Sequence, residues 1–257
     1  MGTISVDVSD HVATVTFDRP PVNAIDTGSM LELTEAFRSF DERRDVRAAI
    51  FTATGARAFI AGVDLKTVGR PADPPPTMIT DPGRVAREAM WAIADCAVPV
   101  VAAVNGPALG AGLAFAACCD ILLASENASF GTTEINVGLL GASAHLSLLV
   151  GRYKAREMFF TGEVVPATEL HRLGAVRAVL PLPELLPAAR ELAGTLAEKS
   201  PIALRLAKES MNRVESMPFR EAYRTEQDYT RRLMGFEDSA EAREAFFEKR
   251  PPEWRWR

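Results

Sequence analysis

Three segments rich in glycine and other small residues are the places where this sequence could carry out chemistry. They cover residues 58–66, 105–120 and 130–141, and each follows a stretch that is predicted to form a β-strand. Small residues just beyond a strand let backbone N–H groups come close to a ligand. In the second segment the turn opens a helix, so its first N–H groups would face an anion. None of the turns fits a nucleotide phosphate loop, and each taken alone also fits the plain packing of a helix on a sheet.

Glu134 is the side chain in these segments that is best suited to move a proton. No other charged residue lies between Gly131 and Gly151. Apolar surroundings disfavour an ionised carboxylate and raise its pKa, which suits a proton carrier near neutral pH. The alternative is an exposed carboxylate, one among 34 acidic residues.

Ser143 and His145 lie close together in the sequence and raise the alternative of a serine hydrolase. Two residues that are two positions apart on a helix do not face each other, and the closing glycine of a GxSxG motif is missing. We therefore interpret His145 as a side chain at the start of a helix that faces solvent or bonds a carbonyl group, rather than as a catalytic group.

The elements that must position these residues are predicted from the spacing of apolar side chains. Alternating apolar residues predict a β-hairpin over residues 4–17, and buried strands are predicted at residues 48–54, 99–104 and 120–124. Helical spacing between these strands predicts an α/β fold with parallel pairing.

The last third of the chain is predicted to be helical. Apolar residues recur at helical spacing over residues 185–198, 202–214, 219–234 and 240–249. Proline suits the first turn of a helix, so we place a boundary at Ser200 and Pro201. The predicted division is an α/β core at residues 1–199 and a helical region at residues 200–257.

Composition excludes several classes of protein. The 257 residues are 47% hydrophobic and carry 29 Lys and Arg against 34 Asp and Glu, so the surplus of cations that nucleic-acid binding requires is absent. Three cysteines and three histidines show no metal-ligand spacing. The uncharged residues 97–119 are interrupted by Pro, Asn and Gly, which argues against a membrane span. With no basic and apolar leader at its start, the sequence predicts a cytoplasmic protein.

Together the three segments, in this order, resemble the enoyl-CoA hydratase/isomerase (crotonase) superfamily over essentially the whole chain. Further matching strings are residues 19–25 (RPPVNAI), 153–162 (YKAREMFFTG), 173–175 (LGA) and 247–251 (FEKRP). The resemblance implies a crotonase-like spiral of repeated β-β-α units with a C-terminal helical trimerisation region. It also implies an acyl-CoA thioester as substrate, no cofactor besides the coenzyme A of that substrate, and a homotrimer or a hexamer built from two trimers.

The same resemblance assigns roles to particular residues. It implies that the backbone N–H groups of Val63 and Ala111 form an oxyanion hole for the thioester carbonyl, and that Glu134 is the acid/base. The residues that it implies for substrate and coenzyme A binding are Arg19, Ala24, Ala61, Asp64, Leu65, Lys66, Gly110 and Lys249, the last perhaps toward a neighbouring subunit's ligand. The alternative for Arg19, Lys66 and Lys249 is a solvated surface cation.

The number of carboxylates bears on the reaction. Hydratases of the family usually carry two glutamates, and this chain has Ala114 at the first position and Glu134 at the second. A single carboxylate most simply moves a proton between two carbons, although single-glutamate relatives that hydrate aryl-acryloyl thioesters resemble residues 133–136 as well. The loop at 138–145 is about three residues shorter than the family's usual loop. We expect hydration or double-bond isomerisation of an enoyl-CoA. The alternatives are an acyl-CoA-binding homologue without turnover and a thioester hydrolase of the same fold.

Overall fold

The computed structural model describes residues 2–66, 81 and 83–257. The strands of this part of the chain are β1 (Ile4–Ser9), β2 (Val12–Phe17), β3 (Ala48–Ala53), β4 (Val100–Val104), β5 (Ala108–Leu109), β6 (Ile121–Ser125), β7 (Ser129–Gly131), β8 (Val164–Pro166) and β9 (Val176–Leu180). Six of them form the main sheet in the order β1-β2-β3-β4-β6-β9. The β1-β2 pair is an antiparallel hairpin and the other neighbours are parallel, so the predicted hairpin and the predicted parallel pairing are confirmed.

The helices that cover this sheet follow the strands in chain order. They are α1 (Thr27–Arg38), α2 (Arg84–Ala94), α3 (Ala111–Ala117), α4 (Ser143–Thr161), α5 (Ala167–Arg172), α6 (Leu182–Ala197), α7 (Pro201–Val214), α8 (Phe219–Met234) and α9 (Glu237–Glu248). Short 3-10 turns lie at Ser39–Asp41 and Glu134–Val137. In α4 the backbone is interrupted at Gly151, whose φ of 69° is not helical.

The central strands are continuous apolar runs because both of their faces are covered. In β3 all six residues are buried. Ala49 and Phe51 belong to the larger hydrophobic core, whereas Ala48 and Ile50 belong to a second cluster that includes apolar residues of α6. Burial on two faces removes the apolar–polar alternation of a half-exposed strand, which is why these runs predict parallel strands in the middle of a sheet.

A second, smaller sheet has the order β5-β7-β8, and the sequence pattern did not predict it. Its strands have only two or three residues, too few for a periodic apolar pattern. An isolated parallel bridge pairs Ile60 with Ala108 of β5, and another pairs Ile25 with Val63. These contacts bring the first glycine-rich segment beside the second.

The helical C-terminal region begins at a well-defined cap. Ser200 accepts a hydrogen bond from the Ala203 N–H, and Pro201 is the first residue of α7. The buried Lys208 of α7 donates to Asp120 Oδ2 at 2.7 Å and so ties the helix to the start of β6. None of the residues of α8 is buried. The division of the chain into two domains at residue 200 stays a prediction.

Two sequence expectations concern the rest of the chain. The proline-rich segment at residues 70–76, which was expected to be a polar loop, lies outside the described residues. Among the residues that are described, no helix is long and apolar enough to cross a membrane.

Candidate active site

The first two glycine-rich segments are in direct contact. The Leu109 N–H donates to the Ile60 carbonyl oxygen at 3.0 Å, which continues the bridge between Ile60 and β5. Gly112, the second residue of α3, lies so close to the same carbonyl that a Cβ atom there would overlap the oxygen. The start of α3 therefore approaches residues 60–63 only because position 112 is glycine.

Val63 and Ala111, the predicted oxyanion-hole residues, lie on these two contacting segments. Ile25 holds the Val63 segment from both sides: its N–H donates to the Gly62 carbonyl at 2.9 Å, and its carbonyl accepts the Asp64 N–H at 2.8 Å. Ala111 is the first residue of α3, where an N–H has no partner within the helix. Within the part of the chain that the structure describes, neither the Val63 nor the Ala111 N–H donates to a protein acceptor.

The carboxylate of Glu134 packs against two glycines near this point. A Cβ atom added to Gly110 would lie 2.6 Å from Glu134 Oε1, and one added to Gly141 would lie 3.0 Å from the same oxygen. Gly110 immediately precedes Ala111, so the carboxylate lies beside the residue that opens α3. Glu134 Oε2 is buried without a hydrogen-bond partner among the described residues. Burial raises the pKa of this carboxyl above its ordinary value.

Two further polar atoms in the same stretch of chain are buried and unpartnered. They are the hydroxyl oxygen of Thr132 and the Nδ1 atom of His145, again judged over the described residues. Burial lowers the pKa of His145, so its imidazole is favoured in the neutral form. The expectation that His145 faces solvent or bonds a carbonyl does not hold for Nδ1. Buried polar atoms in proteins are nearly always paired, so these atoms suit a water molecule or a ligand.

The residues predicted to bind coenzyme A have different surroundings. Lys66 and Leu65 are exposed at the end of the first segment, and Gly110 is buried next to Ala111. Arg19 and Asp64 form an ion pair at 2.9 Å, and Arg19 also donates to the carbonyl of Ala24. Ala24 and Ala61 are half-buried.

Lys249 lies at the end of α9 in a left-handed conformation with φ of 54°. Its side chain is exposed. Among the described residues, no hydrogen bond or ion pair joins it to the segments that carry Val63, Ala111 and Glu134. Its predicted contact with coenzyme A, like the other predicted site roles, stays a prediction.

Comparison with known proteins identifies the fold and the kind of site. The family model described as enoyl-CoA hydratase/isomerase matches residues 7–257. The chain belongs to the enoyl-CoA hydratase/isomerase family. It is therefore an enzyme of the crotonase type that acts on acyl-CoA thioesters, as the resemblance in the sequence implied.

The relatives of this family member carry more than one activity in their names. A hydrolase of (7aS)-7a-methyl-1,5-dioxo-2,3,5,6,7,7a-hexahydro-1H-indene-carboxyl-CoA from Rhodococcus jostii is 37% identical, over 98% of this chain and 96% of its own. A probable enoyl-CoA hydratase from Mycobacterium bovis is 36% identical, over 98% and 97%. The crystal structure of an enoyl-CoA hydratase from Bacillus anthracis matches with a TM-score of 0.91 and 31% identity, over 98% of both chains. The predicted crotonase-like fold is thus confirmed.

Sequence reasoning missed one residue that organises this site of the enoyl-CoA hydratase/isomerase fold. Asn23 is buried in a left-handed conformation, and its amide donates to the carbonyl oxygens of Thr54 and Ala58 at 3.0 and 2.9 Å. It joins the end of β3 to the start of the first glycine-rich segment. A signal was present, because an asparagine directly after two prolines is typical of a turn.

Proposed function

We propose that this protein binds an enoyl-CoA or a related thioester and that Glu134 is its acid/base, transferring a proton next to the thioester carbonyl. The observation that carries the proposal is the packing of the Glu134 carboxylate on Gly110, beside Ala111. In that position Oε2 is buried and unpartnered, and the pKa of the carboxyl is raised. A buried carboxylate of raised pKa is suited to accept and return a proton near neutral pH.

The proposed role of the backbone is to stabilise charge on the thioester oxygen. Removing or adding a proton at the carbon next to the thioester places negative charge on its carbonyl oxygen. The N–H groups of Val63 and Ala111 are free of protein acceptors in the described structure, which supports them as the two donors. The loss of one such donor costs about 3–4 kcal/mol of transition-state stabilisation in a well-studied protease.

Ala114 bears on which reaction Glu134 supports. It lies in α3 and is fully buried, so no carboxylate is supplied from this position. A single acid/base removes a proton from one carbon and returns it at another, which favours double-bond isomerisation. Hydration needs one group that activates water and one that protonates carbon, so it requires a second proton carrier in addition to Glu134.

Hydrolysis is the second candidate, and two observations favour it. The relative from Rhodococcus jostii is named a hydrolase of a bicyclic dioxo carboxyl-CoA. In this chain, the unpartnered Thr132 hydroxyl and His145 Nδ1 are polar atoms that suit a bound water molecule near Glu134 in the sequence. The shortened loop at 138–145 supports an acyl group that is not a simple straight chain.

The remaining parts of the proposal concern the assembly and the ligand. Coenzyme A is proposed as part of the substrate, with no separate cofactor. We further propose a homotrimer, or a hexamer of two trimers, in the cytoplasm. The large exposed apolar side chains of the C-terminal helices, which include Phe219, Phe246 and Phe247, support an assembly through this region because such groups gain stability when they are covered.

A screen of thioesters tests the proposal directly. The protein is incubated with 2-enoyl-, 3-enoyl-, aryl-acryloyl- and cyclic dioxo-carboxyl-CoA esters, and products are identified by mass spectrometry. Thermal shift with the same esters measures binding separately. We expect both binding and product with at least one class. Stabilisation by a CoA ester without product in any class would support the binding homologue instead, and would overturn the proposed turnover.

A further inference from the structure

Arg19 has all of its visible bonding capacity committed inside the protein. Nη1 donates to the Ala24 carbonyl oxygen at 2.6 Å. Nη2 lies 2.9 Å from Asp64 Oδ2 and 3.0 Å from Asp26 Oδ2. Only 27% of the side chain is exposed. The guanidinium group is therefore a bridge between protein groups rather than a free surface cation.

The groups that Arg19 bridges surround the contact between Ile25 and Val63. Ala24 and Asp26 are the two neighbours of Ile25, and Asp64 directly follows Val63. Ile25 and Val63 form the parallel bridge that was described above. The guanidinium thus links the same two segments a second time, one residue away from the paired residues on each side.

Arg19 is itself held by the turn that contains Asn23. The Arg19 N–H donates to Asn23 Oδ1 at 3.0 Å, and the Asn23 N–H donates to the Arg19 carbonyl at 2.9 Å. Asn23 in turn bonds the carbonyls of Thr54 and Ala58, at the end of β3 and at the start of the first glycine-rich segment. A continuous set of hydrogen bonds therefore runs from the edge of the main sheet to Asp64.

The charges around Arg19 argue against its predicted contact with a phosphate of coenzyme A. One guanidinium faces two carboxylates, so this cluster carries a net charge of −1. The hydrogen bond from Arg19 is the main reason why the pKa of Asp64 is lowered, so that carboxylate stays ionised at neutral pH. A phosphate would have to approach a negatively charged group and displace existing bonds.

We propose that Arg19 is a positioning residue, which holds the backbone of Val63 in place through the Ala24 carbonyl and the Asp64 carboxylate and does not bind coenzyme A phosphates. The inference rests on the proposed role of Val63 as a donor to the thioester oxygen. It differs from the role that the family resemblance implied for Arg19. Lys66, which is exposed two residues after Asp64, remains available for the nucleotide.

Enolate formation on a bound thioester tests this positioning role without knowledge of the natural substrate. Acetoacetyl-CoA loses an acidic proton next to its thioester, and its enolate absorbs in the near ultraviolet. Two donors at the thioester oxygen favour the enolate on the protein. The same measurement with acetoacetyl-pantetheine, which lacks the nucleotide and its phosphates, separates positioning from phosphate binding.

The variants are Arg19→Gln, Arg19→Lys and, as the comparison, Lys66→Ala. We expect Arg19→Gln to lower the equilibrium constant for enolate formation about ten- to hundredfold with both thioesters, because the donor is displaced. Its Kd for the two thioesters should change by similar factors. Arg19→Lys should give an intermediate loss, because one ammonium cannot span a carbonyl and two carboxylates. Lys66→Ala should weaken binding of the CoA ester alone.

Three outcomes decide the matter. An enolate band in Arg19→Gln equal to that of the wild type would overturn the positioning role and leave the proposed function intact. A loss of affinity in Arg19→Gln that is confined to the CoA ester would return Arg19 to phosphate binding. A wild-type protein that binds acetoacetyl-CoA without any enolate band would overturn both the proposed function and this inference. Arg19→Lys, which keeps the positive charge, provides the measurement if Arg19→Gln does not fold.

Discussion

The two halves of the candidate site are built in opposite ways. The anchored half, residues 19–26 and 58–64, is crossed by hydrogen bonds and ion pairs that satisfy its polar side chains, with Asn23 and Arg19 at the centre. The proton-transfer half, residues 131–145, contains three buried polar atoms without partners, on Thr132, Glu134 and His145. The difference indicates that the anchored half is fixed before substrate arrives, whereas the other half keeps bonding capacity for the substrate or for water.

The largest expected effect comes from the proton-transfer half. Glu134→Gln keeps the shape of the side chain and removes its ability to accept a proton, so we expect kcat to fall about 10²–10⁴-fold. Binding of the CoA ester should survive, as measured by thermal shift. Glu35→Gln is the control, because that carboxylate is exposed on α1. Unchanged turnover in Glu134→Gln would remove Glu134 from the mechanism.

A change on the border between the two halves is expected to be next in size. In Gly110→Ala the new Cβ would lie 2.6 Å from Glu134 Oε1 and force the carboxylate to move. We expect kcat/KM to fall about 10²-fold, the size of effect that a small misplacement can produce.

Gly138→Ala is a matched control for that change. Gly138 also has a positive φ, 71°, but no atom lies within 4 Å of its added Cβ. The two variants therefore share the backbone strain and differ in the contact with Glu134. Equal losses of activity in both would show that strain alone is responsible.

The anchored half is expected to respond in stability. Asn23→Ala leaves the carbonyls of Thr54 and Ala58 without their donor, so the free energy of unfolding should fall by about 1–3 kcal/mol. Denaturant titration measures it. Asn127 also donates to two backbone carbonyls but is exposed, so Asn127→Ala should stay within about 0.5 kcal/mol of the wild type. A larger loss in Asn127→Ala than in Asn23→Ala would contradict the contrast.

The smallest expected effect is a pH-dependent gain in stability from Glu134→Gln. The pKa of Glu134 is raised in the folded protein, so the carboxyl is neutral in both states at low pH. As pH rises from the ordinary carboxyl pKa through the folded value, the folded state loses stability, because it binds the proton more tightly than the unfolded state. Gln removes this loss. The variant's Tm should exceed that of the wild type at pH 8 and match it at pH 4; a difference that is independent of pH would contradict it.

The sequence predicted those parts of the molecule that depend on neighbours along the chain. The strands β3 and β4 are apolar runs because both of their faces are buried, and Glu134 is conspicuous because its stretch of sequence has no other charge. The short strands β5, β7 and β8 were missed, since two or three residues carry no period.

The contacts that organise the site could not be predicted in this way. Arg19 and Asp64 are 45 positions apart, and the sequence alone does not indicate that they form an ion pair. The same holds for Glu134 and Gly110, which meet only after the small sheet has formed. Family resemblance supplied the roles of Val63 and Ala111, which have side chains without any chemical signal.

The close approach of Gly112 to Ile60 has a consequence for engineering the enzyme. This contact sets the spacing between the two segments that are proposed to hold the thioester oxygen, and it lies outside the loop at 138–145. A library that is randomised only in that loop would therefore explore new acyl groups while the grip on the thioester is inherited unchanged. A library that includes position 112 would mostly sample proteins in which that grip has been pushed apart.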